Sequence, residues 1–101
     1  MVKHIVFFRL ADEAEGKTKI ENAQLIKQGL MSLLDKVPVL KSERVGINIP
    51  NAKKTDYDLC LECEFASWED VDIYQSHPEH LKVAAYITKC RTARAAVDYE
   101  F

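Results

Sequence analysis

A chain of 101 residues, 48% hydrophobic and 30% charged, is long enough for one domain (residues 1–101) with its own core and too apolar for a disordered segment. Fourteen basic against sixteen acidic side chains leave a formal charge of −2 with no basic block, which argues against nucleic-acid binding through phosphate neutralisation. The longest apolar run near the start, Ile5-Val6-Phe7-Phe8, is closed by Arg9 and is too short for a membrane span or the core of an export signal, so a cytoplasmic protein without membrane association is expected.

Val2 to Leu10 alternates but is apolar on both faces, with Val2, Val6, Phe8 and Leu10 on one side and Ile5 and Phe7 on the other. Such a strand belongs in the middle of a sheet covered twice. Ala11 to Gly16 reads as a polar loop. Apolar residues at Ile20, Ala23, Ile26, Leu30, Leu33, Leu34 and Val37 then predict an amphipathic helix from about Thr18 to Lys36. Thr18 and Glu21 form a capping box at its start, and Pro38 stops it.

Leu40 to Ile49 reads as a strand with Val45, Ile47 and Ile49 on one face, followed by a polar hairpin loop from Pro50 to Asp56. Tyr57 to Phe65 is the cleanest alternation: Tyr57, Leu59, Leu61, Cys63 and Phe65 inward, Asp58, Cys60, Glu62 and Glu64 outward. Ser67 and Asp70 resemble a capping box opening a short helix through Tyr74. His77 precedes a proline and is biased away from helical angles, while Pro78 suits the first turn of a second helix over Glu79 to Lys89. Ala93 to Phe101 closes the chain as a strand, with Trp68, Tyr86 and Tyr99 as packing anchors.

The order βαββαβ predicts an α+β, ferredoxin-like domain: one antiparallel sheet with the helices on one face. The uncovered face carries Ile5 and Phe7 among Arg9, Arg44, Cys60, Glu62 and Glu64. Burying it calls for a partner, and a two-fold copy of the chain is the simplest one. Glu62 and Glu64 beside Arg9 and Arg44 then read as interface charges.

The three histidines carry what chemistry the sequence offers. His4 shares a strand face with Val6 and Phe8. Tyr74 and His80 flank the Pro78 junction, so a helix pair folded over the first strand brings His4, Tyr74 and His80 to one pocket. A neutral imidazole at His80, favoured by apolar surroundings, is a candidate base, with Tyr74 as hydrogen-bond donor to developing negative charge. His77 reads as a junction residue bonded to backbone. Cys60-Leu61-Glu62-Cys63 spells C-x-x-C, but on a strand its thiols face opposite ways and cannot share a zinc. No metal set, phosphate loop or nucleophile elbow is present, and no cofactor is expected.

The Val2-Lys3-His4-Ile5-Val6 opening, the element order and Tyr74-x-x-His77-Pro78-x-His80 together resemble the stress-responsive dimeric α/β-barrel (Dabb) family over the whole chain. The resemblance implies a homodimer whose sheets close into a barrel, with a pocket between each subunit's sheet and helices. One branch of that family, plant polyketide cyclases, performs an aldol ring closure, with a base matching His80, an acid matching Tyr74 and a further pocket histidine matching His4. Where the cyclases have another histidine on the third strand, this chain has Leu59, which joins Val6 and Phe8 in a more apolar lining. The implied ligand is a small apolar or aromatic carbonyl compound undergoing cofactor-free proton transfer. The alternative is a non-catalytic, stress-associated homodimer with a filled or vestigial pocket. Cofactor-free oxygenases on the wider architecture are a third possibility, by analogy of fold alone.

Overall fold

The computed structural model describes residues 1–50 and 55–101, so the tip of the expected Pro50–Asp56 loop lies outside the described residues. Four strands, β1 (Val2–Leu10), β4 (Ser42–Ile47), β5 (Leu59–Phe65) and β6 (Arg91–Glu100), form one antiparallel sheet in the order β4-β5-β1-β6. β1 is therefore central, as its two-sided apolar pattern requires. Three helices, α1 (Lys19–Lys36), α2 (Trp68–Ser76) and α3 (Pro78–Cys90), complete the ferredoxin-like order. Strict alternation of burial along β1 and β5 shows that one sheet face is sealed by helices and the other is not.

The expected polar loop after β1 holds a small hairpin instead, β2 (Glu13–Ala14) paired with β3 (Lys17–Thr18). Its two turn residues, Glu15 and Gly16, both have positive φ, the mirror-image turn that matches strand twist and that glycine relieves at its second position. Thr18 then caps α1. Its hydroxyl accepts from the Glu21 amide and the Glu21 carboxylate accepts from the Thr18 amide, the full capping box.

α1 buries Ala23, Ile26, Leu30 and Leu33, and Val37 follows as its buried C-cap. Ile20 and Leu34, expected on that stripe, are exposed, because the 3–4 spacing through Ile26, Leu30, Leu33 and Val37 leaves them on the outer side. Asn22 is fully buried. Its amide donates to the Ala14 carbonyl at 3.0 Å, and its side-chain oxygen accepts from the Tyr86 hydroxyl at 2.6 Å, tying the hairpin, α1 and α3 together. Gly29 lets the helices approach: a Cβ there would meet a Val83 methyl at 3.3 Å.

Five side chains depart from the expected pattern. β4 ends at Ile47, so Ile49 lies outside the strand and is exposed. Asp58 turns inward: its amide donates to the Phe8 carbonyl at 2.8 Å and its carboxylate accepts from the Leu10 amide at 2.8 Å. That bond reverses the parity before β5, so Tyr57 packs on Phe7 on the uncovered face, with ring centroids 5.8 Å apart. Trp68 and Tyr99 are both substantially exposed; Trp68 donates its indole N–H to Glu100 at 2.8 Å.

At the start of α2 Ser67 accepts from the Asp70 amide without a reciprocal bond from Asp70. His77 is extended (φ −63°, ψ 135°), as a residue before proline must be, and caps α3 by accepting from the Glu79 amide at 3.1 Å.

Candidate functional site

Between the sealed face of the sheet and α2–α3 lies a cavity of about 160 Å³. Val6, Phe8 and Leu61 form its floor, Leu30, Ala84 and Ile87 its apolar roof. His4, Gln75, His80, Thr88, Arg91 and Arg94 supply its polar lining. The volume matches a hole that accepts one benzene ring, about 150 Å³, and is below the roughly 300–1,000 Å³ of drug-sized sites.

His4 comes from the middle of β1 and is only 3% exposed. Its register partner on β6 is Asp98, which shares its face because directly paired residues point the same way. The His4 Nδ1–H donates to the Asp98 carboxylate, so in the neutral ring Nε2 holds the lone pair. His80 stands in the first turn of α3, where its Nδ1–H donates to the Gln75 carbonyl at 3.1 Å. A carbonyl only accepts, so this bond too leaves Nε2 as the basic nitrogen. Burial is the main cause that holds the His80 imidazolium below its ordinary pKa. The Gln75 carbonyl opposes this, while His4, Arg94 and His77 add to it. The neutral ring therefore prevails at neutral pH.

Tyr74 is sandwiched in the core, with ring centroids 4.5 Å from His80, 5.1 Å from Phe65 and 6.4 Å from His4. It is 0% exposed and does not line the cavity. Its hydroxyl has turned away, toward the Cys63 thiol and the Glu43 carboxyl, and finds no hydrogen-bond partner of good geometry. Burial pushes its pKa far above the phenol range, so it stays protonated. Leu59 is likewise off the lining. It pairs with Phe8 and Ile47, one pleat repeat beyond Leu61, and Leu61 takes the floor position opposite Val6. The structure thus brings together His4, His80, Val6 and Phe8, and places Tyr74 behind the imidazoles as a support.

Glu43 adds a second buried group. It pairs with Cys63 across β4–β5, one of its carboxyl oxygens is buried without a partner, and burial pushes its pKa up to about 7. Burial likewise drives Cys63 to about 12, so it is a thiol and not a thiolate. Cys60 lies on the opposite face, as strand alternation requires, and no group of three His, Cys, Asp or Glu side chains is arranged for a metal among the described residues.

Sequence reading missed Asp98, Arg91, Arg94 and Glu43. The signal for Asp98 and Arg94 was the other parity of β6, between the apolar set Ala93, Ala95 and Val97; Arg91 shares the parity of that set and reaches the same face only through the register shift between Arg9 and Leu10. Only the register to β1 reveals that this charged side faces the helices.

The family described as Stress responsive A/B Barrel Domain matches residues 2–101. No curated protein sequence matches the chain. A dimeric protein of unknown function and ferredoxin-like fold from Bacteroides fragilis NCTC 9343 is 31% identical (TM-score 0.81, 99% of this chain and 95% of that one). A dimeric ferredoxin-like protein of unknown function from Thermobifida fusca YX is 24% identical (TM-score 0.83, 99% and 90%). A hydroxynitrile lyase from Passiflora edulis shares the fold at 19% identity (TM-score 0.78, 97% and 90%).

Proposed function

The chain belongs to the Stress responsive A/B Barrel Domain (Dabb) family, and from that footing we propose that it is a homodimer in which each subunit performs cofactor-free proton transfer on a small apolar or aromatic carbonyl compound. The observation that carries this reading is the pair of oriented imidazoles. His4 and His80 each commit Nδ1–H to a fixed acceptor, leaving both Nε2 atoms basic at one cavity. His80, neutral near pH 7, removes a proton from the carbon next to a carbonyl held over Val6, Phe8 and Leu61. The His80 imidazolium so formed returns the proton to the enolate, directly or by passing it to Nε2 of His4, whose imidazolium Asp98 stabilises. Tyr74 positions both rings through its faces. The proton-transfer chemistry accords with an aldol or isomerisation step, and a lyase on the same fold shows that the architecture hosts an enzyme.

The dimer reading rests on the uncovered face, where Ile5, Phe7, Tyr57, Val97 and Tyr99 lie among Lys3, Arg9, Arg44, Glu62 and Glu64, and on dimeric relatives. A small cavity also favours a second reading, a non-catalytic dimer with a vestigial pocket.

Solvent deuterium exchange into the α-carbon of 1-indanone, followed by NMR, separates the two. Exchange above background in the wild type, reduced about 100-fold or more in His80→Ala, supports proton transfer. Wild-type exchange at the buffer rate supports the vestigial pocket.

A further inference from the structure

On the reading that this cavity holds a small ligand, we propose that the ligand is a carboxylate whose anionic end is bound by Arg94, with Arg91 beside it, at the cavity mouth. Three observations converge. First, β6 is the edge strand, and its helix-facing side carries Arg91, Arg94 and Asp98 where the neighbouring strand carries Leu10, Phe8 and His4. Second, the charges are not matched to each other. Asp98 is taken by His4, whereas neither arginine has an ion-pair or side-chain hydrogen-bond partner among the described residues. Third, both guanidinium-bearing residues line the cavity together with the two histidines.

Inward-facing charge on an edge strand also serves to prevent edge-to-edge pairing. That role needs only charge and solvent; it does not need a cavity with an apolar floor behind the charge. A planar guanidinium matches a carboxylate with two parallel N–H···O bonds. The volume admits about one ring, so the ligand is an aromatic or short enolisable acid: ring on Val6, Phe8 and Leu61, carboxylate outward on Arg94. Before an anion binds, Arg94 adds to burial and His4 in disfavouring the His80 imidazolium; a bound carboxylate would offset the Arg94 contribution.

Benzoate and its neutral isostere benzamide are the probes, titrated against 15N-labelled protein at pH 7.5 and low salt. Wild type, Arg94→Gln and Arg94→Lys are compared; Arg94 is exposed, and circular dichroism verifies the fold of each variant. The expected result is benzoate binding with shifts at His4, His80 and Ala84, and benzamide at least about tenfold weaker. Arg94→Gln then weakens benzoate about tenfold without changing benzamide, and Arg94→Lys retains part of the affinity. Equal binding of the two probes, or benzoate affinity indifferent to Arg94→Gln, overturns the carboxylate assignment and leaves the cavity a ligand site. Absence of shifts at the cavity with both probes up to millimolar concentration overturns the assignment together with the ligand reading it rests on.

Discussion

Glu43→Gln tests the energetics of the buried cluster most directly. Glu43 has one carboxyl oxygen sealed without a partner, facing Cys63 and Tyr74, and burial raises its pKa from 4.5 to about 7. The folded protein therefore holds this proton more tightly than the unfolded chain. The stabilisation is fully present below the unfolded value near 4.5 and is lost as pH rises through the folded value near 7. A rise of that size converts to about 3 kcal/mol at 1.36 kcal/mol per tenfold, and partial exposure of the carboxyl reduces it to about 1–2 kcal/mol. Glutamine keeps the shape and removes the titration. Melting temperatures of wild type and Glu43→Gln, at one fixed protomer concentration, are compared at pH 5 and pH 8. The variant should gain about 5–10 °C more over wild type at pH 8 than at pH 5. His80 and the other titrating groups are common to both proteins and cancel in the difference. An equal offset at the two pH values would refute the buried-carboxyl argument.

Asp98→Asn replaces the acceptor that fixes the His4 tautomer; the 15N spectrum of His4 should show mixed tautomers and indanone exchange should fall about tenfold, while an unchanged tautomer would remove Asp98 from the site. The His80 ring, titrated by NMR, should have a midpoint below that of a free histidine, and a midpoint at or above 6.5 contradicts its buried setting. Thr18→Ala should cost about 1 kcal/mol in chemical denaturation by breaking the capping box. Phe7→Glu should turn a dimer into a monomer in sedimentation at micromolar concentration, and an unchanged dimer would place the interface elsewhere.

The period-2 and period-3.6 patterns determined the element order, the central place of β1 and the helix-covered face, because burial of one face is written locally into each segment. The capping box at Thr18 and the extended turn at His77–Pro78 were equally legible, since a cap and a pre-proline restriction act within four residues. The same reasoning puts His4, Tyr74 and His80 at one pocket; the cavity is lined by His4 and His80, while Tyr74 lies behind them.

What only the tertiary structure decided depends on pairing between segments far apart in the chain. Asp98 meets His4 through a register across 94 positions, and nothing near either residue encodes it. Tyr74 sits six residues before His80, yet core packing keeps it off the cavity lining and turns its hydroxyl toward Cys63 and Glu43. Tyr57 and Asp58 changed faces because one side-chain bond to the Leu10 amide outweighed the alternation. Local periodicity fixes which residues are inside; non-local register and packing fix which polar atoms inside find one another.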